Sequence, residues 1–234
     1  MAGTINIDDA LQQNFTFSKE KRSKNITAYF LIVCEGEKTE PNYFRSFPKQ
    51  AGKVICELEF SGGGISTLKV VEKAIELRDN SLQKYDRVWA VFDRDSFKSN
   101  AFNSAILKAE ANGIECAWSN EAFELWYLLH FHNRVTAMKR GEYQKAIEKA
   151  VNGKVSRKRP FKYKKNDTGM YKLLNELGSQ DMAVKWATAL CAKIPGKAFA
   201  KYNPVTQVYK LVQELAGKSP ELINELMEKY KKGV

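Results

Sequence analysis

Asp93 and Asp95 stand one residue apart at the end of the apolar run Val88 to Phe92, in the sequence VWAVFDRD. A β-strand reverses side-chain direction at every residue and rises ~3.3 Å per step, so alternation would let both carboxylates face the same way. Two hard oxygen donors at that spacing suit a divalent cation. Glu35 leaves a second apolar run, Phe30 to Val33, within CEGEKTEP, where Gly36 permits a sharp turn. Thr39 can cap a following helix and Pro41 fits its first turn, which sets Glu35, Glu37 and Glu40 near a helix N-terminus. Carboxylates there also complement the helix dipole with no other role.

Further groups frame these acids. Asn120 is a candidate cap for AFELWYLLHF, which would put Glu121 and Glu124 in a first helical turn, again as dipole partners or as ligands. Ser61-Gly62-Gly63-Gly64 falls between a predicted strand and a helix, so the amides of Gly62, Gly63 and Gly64 are candidate phosphate contacts. The lysine and spacing of a P-loop are missing, as is G-x-G-x-x-G, which argues against a nucleoside triphosphatase. The segment from Lys154 to Lys165 interleaves Arg157, Lys158, Arg159, Lys162, Lys164 and Lys165 with Phe161 and Tyr163. Cations meeting phosphates and rings stacking on unpaired bases are the chemistry of a nucleic-acid groove. Lys193, Lys197 and Lys201 form a weaker basic region. His130 and His132, the two histidines of the chain, diverge on a helix and make no shared metal clamp.

The elements that must position these groups follow from the hydrophobic pattern. Strands are predicted at 29–34, 54–60, 87–92 and 114–118, with helical stretches between them, an alternation that predicts a mainly parallel sheet covered by helices. Asp93 and Glu35 then fall at the C-terminal edge of that sheet, where open α/β folds bind ligands. Beyond Gly141 the strand signal disappears and helices are predicted at 142–151, 168–178, 181–192, 204–216 and 219–231. The chain divides into a polar arm over 1–25, an α/β region over 26–135 and a helical basic region over 136–234 that can pack with the core as one unit.

Composition agrees with this outline. Of 234 residues 44% are hydrophobic, enough for a sizeable core, and the net charge of +11 favours a polyanionic partner. Cys34, Cys56, Cys116 and Cys191 are widely spaced, which suits reduced core thiols. No long uncharged apolar segment and no signal-peptide pattern is found, so a cytoplasmic protein without a membrane partner is expected.

CEGEKTEPNYF, the SGGG turn, VFDRD, SNEAFELWYLLHF and NPVTQVYKLV resemble the RloB-like family from about residue 29 to about residue 215. The acidic Glu-Gly turn and the later Asp-x-Asp also resemble the TOPRIM domain of topoisomerases, primases and several nucleases. The resemblance implies a TOPRIM-like sheet and Mg²⁺- or Mn²⁺-dependent phosphodiester chemistry. On that pattern Glu35 matches the glutamate that acts as general acid or base and touches metal. Asp93 and Asp95 match the metal-binding aspartates. Glu40 and Glu124 are candidates for a second metal or a catalytic role; at Glu121 similar sequences more often carry proline. The resemblance further implies a nuclease acting on RNA, tRNA included, or DNA, in bacterial phage defence beside an AAA- or ABC-type ATPase. Nucleotidyl transfer and a non-catalytic nucleic-acid-binding or docking module are the alternatives.

Overall fold

A computed structural model describes residues 25–64, 66–95, 98–155 and 159–231. Residues 1–24 of the predicted arm over 1–25 lie outside them, as do Arg157 and Lys158. Six strands form one sheet in the order β2-β3-β1-β4-β5-β6. They are β1 (Ile26–Cys34), β2 (Gln50–Ala51), β3 (Val54–Gly62), β4 (Arg87–Asp93), β5 (Glu115–Asn120) and β6 (Val205–Thr206). The four central strands β3, β1, β4 and β5 are mutually parallel, and β2 and β6 pair antiparallel at the two edges. The predicted strands are all present, each shifted or lengthened by one to three residues. Val205–Thr206 corrects the predicted helix over 204–216, because a two-residue strand is too short to show any alternation.

Helices α1 (Thr39–Arg45), α2 (Thr67–Asn80), α3 (Ser99–Ala111) and α4 (Glu124–Leu129) fall between and after the strands of the first half. The second half supplies α5 (Arg140–Asn152), α6 (Met170–Leu177), α7 (Gln180–Cys191), α8 (Val208–Leu215) and α9 (Pro220–Lys231). Parallel crossovers are right-handed, so the leftward step from β1 to β3 and the rightward steps through β4 to β5 put their helices on opposite faces. Accordingly α2 and α3 pack side by side. Phe30 to Cys34 in β1 and Val88 to Phe92 in β4 are buried on both faces, which accounts for their unbroken apolar sequence. Trp89, Trp118 and Trp126 are core residues, and the four cysteines are free thiols, three of them buried. One continuous apolar core includes Val208, Leu211, Leu215, Leu222 and Leu226, so the helical region shares the core of the sheet.

At the far end of β4 the two regions are tied by a polar network. Glu214 of α8 accepts from Trp89 Nε1 at 2.9 Å and from Arg87 Nε at 2.8 Å, and Arg87 also pairs with Glu225 of α9 at 2.7 Å. This network holds the start of the strand that ends on Asp93.

Candidate active site

The chain leaves β1 toward β3 on one side and later returns to β4 on the other, so the strand order reverses between β1 and β4. Crevices at such reversals are the ligand sites of open α/β sheets. Glu35 and Asp93 flank this one. Register brings Cys34 opposite Val91, the Glu35 N–H donates to Val91 O at 2.8 Å, and the Asp93 N–H donates to Glu35 Oε2 at 3.0 Å. The two carboxylates expected at one sheet edge are therefore neighbours joined through the backbone.

Asp95 arrives by a different route from the one that alternation predicts. The strand ends at Asp93, and Asp95 occupies a turn with φ +42°, a conformation that Asp tolerates better than most residues. Arg94 N donates to Ser119 O at 2.8 Å and Asp95 N to Glu121 O at 3.2 Å, which fixes that turn against the end of β5. Asn120 does not cap α4. Its amide donates to Ala200 O and Tyr202 O at 3.1 and 2.6 Å, and the helix begins at Glu124.

Glu40 and Glu124 occupy the first turns of α1 and α4 and are only 6% and 5% exposed. Both helices are anchored in an aromatic cluster of Tyr43, Phe44, Phe123 and Tyr127, and Trp126 Nε1 donates to Tyr43 Oη at 2.7 Å. Apolar burial of that kind drags the neighbouring carboxylates out of water. A Cβ on Gly36 would collide with the Glu40 carboxylate, so the glycine gives Glu40 its space. Glu121 remains partly exposed, at the turn beside Asp95.

Among the described residues burial outweighs the nearby cations and sets the electrostatics. Asp93, 4% exposed, is held well above the usual aspartate range by desolvation, then by Glu40 and Glu124, against a hydrogen bond from the Phe123 backbone and the pull of Arg140. Glu40 is raised for the same leading reason. Desolvation pushes Glu35 up to about 7, with Glu40 and Asp95 adding to the rise and the Asp93 N–H and Arg140 opposing it. The fold disfavours ionised Glu35, so its contribution to stability is complete below about pH 4.5 and is lost as the pH rises through about 7. E35Q, in EDTA, is expected to gain melting temperature over the parent progressively across that window, and to match it at lower pH. His130, lowered to about 4 by burial, acts with the opposite sign but is common to both proteins and cancels. A difference independent of pH would remove burial as the cause.

Two clefts adjoin these acids. One of about 470 Å³ is lined by Glu35, Gly64, Ser66 and Asp95. The other, of about 350 Å³, is lined by Phe123, Glu124 and Lys165. Glu40, Asp93 and Arg140 border both. Arg140, the first residue of α5, is not legible as a site residue in the sequence. Its Nη1 pairs with Asp95 Oδ2, and its Nη2 lies 3.9 Å from Asp93 Oδ2. Among the described residues no three acidic, histidine or cysteine side chains are grouped closely enough to hold a metal together. The donor set nonetheless fits Mg²⁺ or Mn²⁺, which take oxygen ligands, retain waters and are commonly held by one or two carboxylates plus substrate phosphate. One or two carboxylates drawn from Glu35, Asp93 and Asp95 on the first cleft and Glu40 at its border would hold it, with water and substrate phosphate completing the shell.

The glycine turn and the basic segment differ in part from expectation. Gly63 and Gly64 have positive φ, but Gly64 N–H is committed to Glu35 O at 3.0 Å and is not free for phosphate. Gly62 closes β3. In the basic segment Phe161 and Tyr163 are buried, so their faces are not open to bases. Tyr163 Oη instead donates to Glu124 at 3.0 Å. Burial alternates over 161–164, the rings of Phe161 and Tyr163 turned inward while Lys162 and Lys164 stay exposed, as do Arg159 and Lys165. Thr39 and Asn42 side chains bond to the Lys165 and Asn166 carbonyls, clamping this basic strip to α1. His130 is a core residue, its Nδ1 2.9 Å from Trp126 O, and His132 is exposed.

Sheet order and acidic crevice together define an α/β protein with a carboxylate centre at the switch point of a mainly parallel sheet, faced by cations from a helical second half. A family model described as RloB-like protein matches residues 30–215, and the chain belongs to that family. Neither the curated proteins nor the solved structures provide a match. Among the described residues no helix is long and apolar enough to cross a membrane.

Proposed function

We propose that this protein is a divalent-metal-dependent nuclease with a TOPRIM-type centre that hydrolyses phosphodiester bonds in RNA, tRNA included, or in DNA. The observation that carries this reading is the group of five carboxylates, Glu35, Glu40, Asp93, Asp95 and Glu124, bordering two adjoining clefts at the sheet's switch point, three of them buried. A fold that merely needed stability would not gather so many acids where ionisation is costly. Glu35 keeps Oε2 on the Asp93 N–H, leaving Oε1 to accept a proton from an attacking water, and its raised pKa near 7 suits a general base. Asp93 and Asp95 hold the cation, and Tyr163 orients Glu124 through its hydroxyl. When bound, Mg²⁺ or Mn²⁺ supplies charge stabilisation at the scissile phosphate and activation of water. Membership of the RloB-like family supports a role in phage defence, in the cytoplasm and beside an AAA- or ABC-type ATPase.

The exposed strip of Arg159, Lys162, Lys164 and Lys165 guides the substrate backbone, with Lys165 reaching the cleft rim. For K164Q/K165Q, affinity for single-stranded nucleic acid is expected to fall. The slope of log affinity against log salt should flatten by about 1.4, two lost phosphate contacts. An unchanged slope would remove the strip from the substrate path. The reading as a whole is tested by incubating the purified protein with tRNA, single strands and duplexes in Mg²⁺, Mn²⁺ or EDTA. Fragments that form only with metal are the expected result. Oligonucleotide synthesis from nucleotides would identify a transferase, and metal-independent binding without cleavage a docking module.

A further inference from the structure

Arg140 is placed against electrostatic convention. It is the first residue of the thirteen-residue helix α5, where the helix dipole disfavours a cation. The Lys139 N–H donates to Glu142 at 2.8 Å, which fixes this first turn and the starting point of the arginine stem. The guanidinium then spans Asp93 and Asp95 and borders both clefts, with its side chain 34% exposed. Asp93 Oδ2 and Asp95 Oδ2 both face the guanidinium, so a small hard cation bridging those two oxygens would take the place it occupies. A dication on the same oxygens gains more Coulomb energy than a spread monovalent charge. The long stem and partial exposure leave Arg140 an exit toward the cleft, and its planar fork matches phosphate oxygens in two-point fashion.

We propose that Arg140 is the resident counter-ion of the Asp93–Asp95 pair, that a divalent cation displaces it, and that the displaced guanidinium then binds substrate phosphate. This rests on the metal-dependent reading above. It assigns one residue two successive partners, first carboxylate and then phosphate.

The test titrates Mn²⁺ into the full chain, read by electron paramagnetic resonance, for the parent, R140Q, R140K and D93N. Removal of the competing cation is expected to tighten Mn²⁺ binding about tenfold in R140Q, with D93N weakened. R140K, which keeps the charge but loses the fork, is expected between parent and R140Q and serves alone if R140Q does not fold. In a second arm inorganic phosphate is titrated calorimetrically into Mn²⁺-saturated protein, where R140Q is expected to bind about tenfold more weakly than the parent. Equal or weaker Mn²⁺ binding by folded arginine variants overturns the displacement and leaves the metal reading standing. Equal phosphate binding overturns the hand-over. Absence of Mn²⁺ binding in parent and variants alike overturns the metal reading, and the displacement with it.

Discussion

D93N is expected to abolish metal-dependent cleavage, by about a thousandfold or more, while raising the melting temperature of the metal-free protein. The two effects have one cause. Asp93 is buried, and desolvation with Glu40 and Glu124 opposes its charge. Asparagine keeps the shape and still accepts from the Phe123 backbone, so the fold sheds a penalty and loses little in exchange. Cleavage needs the charge, because an amide oxygen is a poor substitute for a carboxylate toward a hard cation. Thermal melts in EDTA beside cleavage assays in Mn²⁺ separate the outcomes. Retained cleavage removes Asp93 from the centre, and a lowered melting temperature removes the argument that its burial is a cost borne for function.

The second large effect lies at the opposite end of the same strand. Glu214 satisfies Trp89 Nε1 and one face of Arg87 while itself largely buried. E214A leaves an indole N–H without an acceptor and a half-buried guanidinium with only the Asp86 carbonyl and the exposed Glu225, and should cost about 3 kcal/mol, roughly 6–12 °C in Tm. The apolar double replacement R87M/E214L is expected to recover part of that loss, because no buried charge is then left unpaired: the exposed Glu225 returns to water, while Trp89 Nε1 still lacks its acceptor. Denaturant titration of the three proteins measures both. If E214A costs little, helices α8 and α9 are held to β4 by apolar packing alone.

Much of this arrangement is legible in the residues. The runs ending at Cys34 and Asp93 read as buried strands because apolar side chains on both faces leave an unbroken signature, and Glu35 and Asp93 follow from where those runs stop. Asp95 is reached by an argument that the backbone does not use, since the strand ends two residues earlier and a turn delivers it. Tyr163 reads by composition as a stacking ring. Its inward direction depends on α1 and Glu124, which are distant in sequence. Arg140 is not legible at all. A lone arginine opening a helix carries a hint in its conflict with the dipole, yet the carboxylates that relieve that conflict lie far back along the chain, and only the packing of α5 against α4 brings it to them.

The two short antiparallel strands β2 and β6 have a consequence beyond completing the sheet. Each pairs with only the end of a longer strand: β2 covers Val54 and Ile55 of the nine-residue β3, and β6 covers Ser119 and Asn120 of β5, so the rest of each outer edge is left to side chains and helices to shield. The crevice itself is lined from turns and helix starts at the carboxyl ends of β1 and β4, so its lining can vary in sequence while the buried sheet beneath stays as it is.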